Sequence, residues 1–279
     1  MARVPFALPS DPDPQPHLVV EKGRKGRGVG RWVPERKHTL IAKWLVGTQH
    51  ARAGWKSHIF IDPFCGPGRI LVRGEPSTRH GGAVLAWRQS QQTKAPFTQM
   101  FIGDIQSDRV NACELRLKHF SANVRPFPGA ALDTSKQMVA AIPRGTLALA
   151  YLDPYNLKYL SFEIIRSIAG LKRVDLAVNF STMDLDRNVD VEIERGRFDD
   201  VAPGWKNVAQ GRSRASLHHA FFDYWRGLVS ELGFKYSDQM PWVFNEGNRG
   251  IYRMVFFSRH PMPIGVWGDI AKGPNLELF

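Results

Sequence analysis

Cysteine is nearly absent from this chain of 279 residues, which contains only Cys65 and Cys113. Neither lies in a C-x-x-C pair or in a mixed cysteine and histidine cluster, so the sequence argues against a zinc or iron–sulfur site carried by the chain. Cys65 falls in a glycine-rich turn and Cys113 in a predicted helix, which is not the pattern of a structural disulfide. We therefore predict no metal site and no disulfide.

Long hydrophobic runs are also missing, and the apolar stretches fall far short of the roughly 20 residues of a membrane span. The first ten residues are too interrupted by proline for a secretory signal. We predict a cytoplasmic protein without a membrane partner. Acidic residues are scarce as well, because 26 Asp and Glu stand against 38 Lys and Arg, for a net charge of +12. Such a surplus favours a polyanionic partner, most often nucleic acid, over a merely solvated basic surface.

Regular hydrophobic spacing is absent from residues 1–31, where prolines are followed by glycines that alternate with Lys and Arg. Such a segment buries no core, and we predict a flexible basic N-terminal arm. A solvated tail is an equally open interpretation of the arm by itself. If the partner is nucleic acid, the cations expected to contact its phosphates are Arg24, Lys25, Arg27 and Arg31.

From residue 32 onward, short apolar runs alternate with segments of helical spacing, and a helix is predicted before the first strand. Strands are predicted over residues 58–62, 99–104, 123–128, 146–153 and 174–180, and, after a helix over 217–232, over 234–237 and 250–258. This order predicts an α/β, Rossmann-like domain over 32–279, mostly parallel with an antiparallel C-terminal strand and helices on both faces. Residues 182–214 fit no strand and are predicted to form an insertion over the carboxyl ends of the strands.

The stretch SHIFIDPFCGPGR, residues 57–69, carries a buried strand directly into a turn that contains Gly66 and Gly68. A dinucleotide fingerprint requires a third glycine, where this chain has Leu71, and no acid before the first glycine. Here Asp62 ends the strand, and an anion at that position repels a pyrophosphate but suits a cation. S-adenosylmethionine carries an ammonium and a sulfonium, so the turn, including Phe64, predicts a site for this methyl donor. The plainer alternative is a tight turn that needs glycine for its backbone angles.

Acids come at or near four successive strand ends: Asp62, Asp104, Asp133 and Asp153. One such acid is usually a helix cap or turn residue, but parallel strands bring their carboxyl ends to one edge, where cofactors bind. Asp104 is expected to accept hydrogen bonds from both ribose hydroxyls, and Asp133 from the exocyclic amine of adenine. Ile105 and Leu132 are expected to form apolar walls for the ring, and Lys37 to reach the carboxylate of the donor.

A second motif, Asp153-Pro154-Tyr155, follows the fourth predicted strand of the sheet. A carboxylate and a proline carbonyl accept hydrogen bonds from an amine, and an aromatic ring stacks on a flipped base. The three residues are therefore the candidates for positioning the acceptor. A turn that starts at Asp-Pro is the structural alternative.

The glycine turn resembles motif I of class I S-adenosylmethionine-dependent methyltransferases, and Asp153-Pro-Tyr resembles a D-P-P-Y motif that has lost one proline. More of the chain resembles the three-Cys-motif partner family, TcmP. The similar segments are WVPERKH from Trp32, FIDPFCGPG from Phe60, GGAVLA from Gly81, LDPY from Leu152, NFSTMDLDRN from Asn179 and YRMVFFSRH from Tyr252. The resemblance implies a methyltransferase-like Rossmann domain and a partner protein that carries three cysteines and resembles radical S-adenosylmethionine enzymes. It implies no established reaction.

Together these features predict a methyltransferase that uses S-adenosylmethionine and acts on nucleic acid, with a base amine as the possible acceptor. Alignment of donor and acceptor would be the main contribution of the protein, since the sulfonium is already activated. The alternative is a non-catalytic module that binds nucleic acid or the partner protein, which the shortened motif favours. A nicotinamide enzyme is disfavoured by the glycine spacing.

Overall fold

A computed structural model describes residues 11–210 and 213–272. Its strands are β1 (His58–Asp62), β2 (Arg69–Leu71), β3 (Thr78–His80), β4 (Gln99–Asp104), β5 (Val124–Pro128), β6 (Leu147–Leu152), β7 (Val174–Ser181), β8 (Lys235–Tyr236), β9 (Trp242–Phe244) and β10 (Gly250–Ser258). Its α-helices are α1 (Thr39–Gly47), α2 (Gln49–Arg52), α3 (Gly82–Gln91), α4 (Ser107–His119), α5 (Ala131–Ala141), α6 (Phe162–Ala169), α7 (Thr182–Arg195), α8 (Trp205–Ala209), α9 (Arg214–Glu231) and α10 (Pro261–Lys272).

The central sheet has the strand order β5-β4-β1-β6-β7-β10-β8, and β9 also pairs with β10. The first five of these strands are parallel, whereas β10 is antiparallel to β7, β8 and β9. The predicted Rossmann-like sheet with an antiparallel C-terminal strand is therefore confirmed. The strand order reverses between β1 and β6, which places a crevice at their carboxyl ends.

Alternation along the strands divides the core into two layers, one on each face of the sheet. In β1, Ile59 and Ile61 belong to the cluster that includes α5, α6 and α9, whereas Phe60 belongs to the cluster that includes α1, α3, α4 and α10. Both faces are thus covered by helices, as the continuous apolar runs of the parallel strands predict. None of the described helices has the length and hydropathy needed to cross a membrane.

Three strands were not predicted from the sequence, namely β2 and β3, which form a ribbon after the glycine turn, and the short edge strand β9; the helices α3, α5 and α10 were not predicted either. The segment 182–214 contains α7 and α8, and its described part forms no strand; α7 leaves directly from the carboxyl end of β7. Whether this segment acts as an insertion over a substrate stays a prediction.

Residues 11–31, which we call the strap, are part of the predicted arm and run alongside the β2–β3 ribbon. Backbone hydrogen bonds join Glu21 to Arg69 and Leu71, and Val29 to Leu71 and Arg73. These bonds set the path of the strap beside the glycine turn. Residues 1–10 of the arm lie outside the described residues, and the division of the chain at residue 31 stays a prediction.

Candidate active site at the carboxyl edge of the sheet

The glycine turn after β1 has the backbone geometry that its sequence predicts. Gly66 and Gly68 have φ values of 58° and 78°, in the left-handed region that favours glycine. A Cβ on Gly68 would also lie 3.0 Å from Val84 Cγ2, because α3 packs closely on the turn. The Cys65 amide donates to the Gly103 carbonyl at 2.8 Å and ties the turn to β4. The turn therefore presents its backbone at the carboxyl edge of the sheet.

Asp62 is buried at the start of this turn, with 2 % of its surface exposed. Its Oδ1 accepts a hydrogen bond of 2.9 Å from the amide of Phe64. Burial raises the pKa of Asp62 well above its usual value, and the charges of Asp153 and Asp104 raise it further, against opposing effects of the Phe64 amide and Lys37. No cationic side chain of the described residues forms an ion pair with it. A cation that binds next to such a buried carboxyl favours its charged form and lowers its pKa.

Asp104 ends β4, the neighbour of β1, with 14 % of its side chain exposed. Burial raises its pKa, while the amides of Gln106 and Gly66 donate to the carboxylate and oppose the shift. Arg109 Nε lies 3.5 Å from Asp104 Oδ2, and the same guanidinium pairs with Glu21 of the strap. Ile105 is 72 % exposed beside it. Both residues lie at the carboxyl edge, and their contacts with a bound ribose and adenine stay predictions.

Asp133 and Leu132 differ from their expected setting, since they lie in the first turn of α5 and not in a loop. The Asp133 amide donates to the Ala130 carbonyl at 3.0 Å, and its side chain is exposed. Leu132 is half-buried and packs against the core. Both remain at the carboxyl edge after β5, and their contacts with a bound adenine stay predictions.

Asp153 follows β6, and its carboxylate accepts four hydrogen bonds from three donor groups. Lys37 Nζ lies 2.9 Å from Oδ1 and 2.7 Å from Oδ2, Asn179 Nδ2 donates to Oδ1 at 2.8 Å, and the Tyr151 hydroxyl donates to Oδ2 at 3.2 Å. Burial by itself would raise the pKa of Asp153, but the charge and hydrogen bonds of Lys37 outweigh it, and the pKa is lowered. A carboxylate accepts about four hydrogen bonds. Asp153 is therefore saturated by the protein itself.

Lys37 lies in a π-helical segment, Val33–His38, that leads into α1, and only 8 % of its side chain is exposed. The sequence predicted that it contacts the carboxylate of a donor, whereas the structure pairs it with Asp153, 116 residues away. Its neighbour His38 is buried and stays neutral, because burial and the charge of Lys37 lower the pKa of His38 to about 3. Sequence reasoning did not connect the Trp32–His38 segment to Asp153.

Asn179 was also missed as a site residue, although the alternation of parallel strands signals its position. Leu152 pairs with Val178 in register, so Asp153 and Asn179 follow each other on neighbouring strands and face the same way. Asn179 is 1 % exposed, and its Oδ1 has no hydrogen-bond partner. This oxygen is a buried acceptor without a partner among the described residues, next to the saturated carboxylate.

The other residues of the second motif have opposite environments: Pro154 is buried, whereas Tyr155 is 67 % exposed and available for stacking. In the strap, Lys25, Arg27 and Arg31 are exposed, as phosphate contacts require. The side chain of Arg24 lies outside the described residues. Cys65 is buried, and burial raises the pKa of its thiol, which agrees with the expected packing role.

The carboxyl edge therefore has an excess of acids in a chain of net charge +12. The edge has two cations, Lys37 and Arg109, against four acids, Asp62, Asp104, Asp153 and Glu21. Among the described residues, no group of three or more His, Cys, Asp or Glu side chains is arranged to hold a metal ion. The site is thus suited to an organic cation bound against backbone and carboxylates.

No family model matches this chain, and no curated protein matches it. The resemblance to the three-Cys-motif partner family therefore has no support from these comparisons. The structure is similar to a protein named Trm1 from Pyrococcus horikoshii, in complex with S-adenosyl-L-methionine, with 11 % identity over 86 % of this chain and 58 % of that chain and a TM-score of 0.48.

It is also similar to an rRNA methylase from Streptococcus thermophilus, with 13 % identity over 82 % of this chain and 96 % of that chain and a TM-score of 0.40. A third similar structure is precorrin 8w decarboxylase from Methanobacterium thermoautotrophicum, with 13 % identity over 89 % of this chain and 98 % of that chain and a TM-score of 0.38. Since one of the three is a decarboxylase, and all TM-scores are below 0.5, these similarities carry no argument about the reaction. The class of fold rests on the strand order, and this chain has a methyltransferase-like, Rossmann-type sheet.

Proposed function

We propose that this protein is a methyltransferase that uses S-adenosylmethionine. The observation that carries the proposal is the excess of carboxyl groups at the glycine turn of a strongly basic chain. The buried Asp62 has no ion-pair partner among the described residues, and a cationic ligand at this edge would lower its raised pKa. A dinucleotide would instead place a pyrophosphate against these acids.

The residues at this edge fit such a donor. Asp62 and the turn at Gly66 and Gly68 would hold its amino-acid end, and Asp104 would accept hydrogen bonds from the ribose hydroxyls beside the exposed Ile105. The donor supplies an activated methyl group on a sulfonium, and the protein supplies alignment. The excess of acids in these walls stabilises positive charge on whatever they hold.

The carboxylate of Asp153 has no further hydrogen bond to offer to the methyl acceptor, so the neighbours of Asp153 would contact the acceptor. Asp153 would hold Lys37 and Asn179 in place, and the free Oδ1 of Asn179 with the Pro154 carbonyl would accept from an amine. Tyr155, exposed at the same edge, would stack on the base. Asp153 is in this scheme a positioning residue.

The substrate class proposed here is nucleic acid, because the net charge is +12 and the strap exposes Lys25, Arg27 and Arg31. Neutralising phosphates with such residues releases counterions and drives binding. The partner protein with three cysteines, implied by the family resemblance, is part of the same proposal and is supported by the sequence segments alone.

Calorimetric titration tests the donor site. We expect S-adenosylhomocysteine and S-adenosylmethionine to bind with micromolar affinity and NAD not to bind. Asp62→Asn should weaken donor binding about tenfold or more, since a hydrogen bond to a charged group contributes about 1.5–3 kcal/mol. Asp269→Asn, which neutralises an exposed acid on α10, is the matched control and should bind like the wild type. A folded wild-type protein that binds neither sulfur compound would sink the proposal.

A second candidate is a module that binds the methyl donor or nucleic acid and transfers nothing, and the four hydrogen bonds that Asp153 already accepts favour it. Transfer of a radioactive methyl group to total RNA and DNA separates the two. An enzyme should label one of them and lose the label with Asn179→Ala. A module should bind the donor and label neither.

A further inference from the structure

A cluster of arginines and aromatic rings lies at the same edge of the sheet, beyond β7. The guanidinium carbon of Arg253 is 4.7 Å from the centroid of the Trp242 ring and 4.8 Å from that of Phe222. Arg36 lies over the ring of Phe244, at 5.9 Å. We call these five residues the arginine–aromatic patch. Trp242 is 40 % exposed, so the patch presents an aromatic ring at the surface.

The ring of Trp242 has a built seat on the neighbouring strand. It lies against Gly250, where a Cβ would come within 2.6 Å of a ring atom. Trp242 pairs with Arg253 in the register of β9 and β10, so the ring and the guanidinium share one face of the sheet. Glycine at position 250 is thus required for the ring to lie across the strand.

The cations of the patch have no close counter-charge within the described residues, although the charge of Asp223 raises the pKa of Arg253 and so partly offsets burial. Neither Arg253 nor Arg36 forms an ion pair there, and Arg253 Nε is buried without a hydrogen-bond partner. Burial lowers the pKa of Arg253, and the nearby Arg226 lowers it further. The Arg226 charge is partly balanced by Asp223, at 2.5 Å. An anion at the patch would relieve this repulsion and supply the missing hydrogen-bond acceptors.

Arg36 connects the patch to the acceptor residues, because it directly precedes Lys37, whose Nζ donates to Asp153 at 2.7 Å. Lys37 Nζ also lies 5.6 Å from the centroid of the Tyr252 ring, and Tyr252 pairs with Ser181 at the carboxyl end of β7. Arg253 follows Tyr252 on β10, so its side chain lies on the other face of the sheet. A strand bound over Arg36 would therefore run around the carboxyl edge toward Asp153 and Tyr155.

We infer that the arginine–aromatic patch binds single-stranded nucleic acid, with a base stacked on Trp242 and phosphates against Arg253 and Arg36. The inference rests on the proposed function, because it specifies that the nucleic-acid substrate is single-stranded. Arginines beside exposed aromatic rings are the side chains with which proteins bind unpaired strands. A duplex offers no free base face to Trp242, and its bases are already stacked. The competing explanation is that Trp242 only covers the edge strand and prevents it from pairing with another chain.

Fluorescence anisotropy with a labelled single-stranded RNA of about 15 nucleotides tests the inference on the full chain. Trp242→Ala should weaken binding about tenfold, the loss expected for one stacked base. Arg36→Ala should weaken it about threefold and reduce the dependence on salt by about one phosphate contact. A duplex of the same sequence should bind more weakly and should be insensitive to Trp242→Ala.

The matched control is Arg173→Ala. Arg173 precedes β7 at the opposite edge of the sheet and stacks on Trp55, with its guanidinium carbon 4.3 Å from the ring centroid. This variant also removes one charge and one arginine–aromatic contact, but it should bind RNA within about twofold of the wild type. Equal losses in Arg36→Ala and Arg173→Ala, or unchanged binding in Trp242→Ala, would show diffuse attraction only and overturn the inference.

Calorimetry with S-adenosylhomocysteine on the same variants separates this inference from the proposed function. The patch variants should bind that compound like the wild type. If the wild type binds RNA through Trp242 but no sulfur compound, the patch stands and the methyltransferase falls; the reverse result removes the patch alone. Near-ultraviolet circular dichroism of each variant confirms that the fold is kept.

Discussion

The strap and the carboxyl edge both bury charge, but they balance it in different ways. Where the strap packs on α4, Arg116 is fully buried and donates to both oxygens of Asp13, at 3.0 and 2.7 Å, and to the carbonyls of Val19 and Pro67. The two charges of this buried pair balance each other within the chain. At the carboxyl edge, Asp62 is buried without an ion pair among the described residues, and acids outnumber cations. The charges of Asp13 and Arg116 are thus balanced within the chain, whereas the acids of the carboxyl edge are not.

The pKa values of the two acids express this difference. Burial by itself would raise the pKa of Asp13, but the hydrogen bonds and charge of Arg116 outweigh it, and the pKa is lowered. The pKa of Asp62 is raised because the Phe64 amide and the charge of Lys37 do not outweigh the effect of burial. Asp13 in its charged form therefore stabilises the fold at neutral pH, whereas Asp62 destabilises it.

The largest effect is expected from Lys37→Met, which leaves Asp153, with only 19 % of its side chain exposed, without a counter-charge. Breaking a buried ion pair from one side costs about 3–5 kcal/mol. The double variant Lys37→Met, Asp153→Asn should recover much of this loss, because neither charge is then left alone. Urea unfolding of the two single variants and the double variant gives the coupling energy. Additive losses would show that the pair is not the dominant interaction of either residue.

Asp13→Asn should destabilise the fold by about 2 kcal/mol at neutral pH, since it weakens a charged hydrogen-bond pair to a buried arginine. The Asp13 contribution is present above the ordinary pKa of 3.8 and is lost as the pH falls through the lowered folded value. The loss should therefore shrink in acid. Unfolding curves at neutral and acidic pH test this, and a loss that does not change with pH contradicts it.

Asp62→Asn should have the opposite sign and stabilise the unliganded protein by about 1 kcal/mol at neutral pH. The folded pKa of Asp62 is raised, so the wild type loses stability as the pH rises above 3.8 toward that folded value, and the variant does not. The gain should vanish in acid. The same variant should lose affinity for S-adenosylhomocysteine, so its thermal melts should cross those of the wild type when this compound is added. A variant less stable than the wild type at neutral pH would break the comparison.

The smallest effect is expected at Glu21, which joins the two regions through Arg109. Glu21→Gln should change stability by less than about 1 kcal/mol, because the pair is partly exposed. Arg109 should then turn to Asp104, where it competes with ribose hydroxyls, and donor affinity should fall about threefold. Calorimetry measures this, with Glu246→Gln, in an exposed pair with Arg73, as the control. Unchanged affinity in Glu21→Gln would show that the strap has no influence on the donor residues.

Much of this architecture could be predicted from the sequence because its causes are local. The apolar runs of the five parallel strands and the spacing of α9 specify elements whose ends differ from the predictions by only a few residues. The short strand β9 was not predicted, because three residues are too few to show a hydrophobic periodicity. The first turn of α5, around Asp133, was also not predicted, because a helix that starts after a proline-rich strand has no distinctive sequence pattern.

The candidate site divides in the same way. The glycine turn and the acids at Asp62 and Asp104 follow from the order of residues along single strands and turns. The partner of Asp153 does not, because Lys37 is distant in the sequence and reaches it only through the packing of the Val33–His38 segment on the sheet. Asn179 becomes a neighbour of Asp153 only through the register of β6 and β7.

The sequence by itself determined the class of fold, the glycine turn and the sign of the charge that acids bring to the carboxyl ends of the strands. Periodicity, backbone freedom and formal charge are properties of residues and their near neighbours, and they need no coordinates. Only the tertiary structure decided which charges are balanced: Asp13 by Arg116, Asp153 by Lys37, and Asp62 by no described cation. Ion pairing depends on distances of a few ångströms between segments far apart in the chain, and those distances exist only in the folded protein.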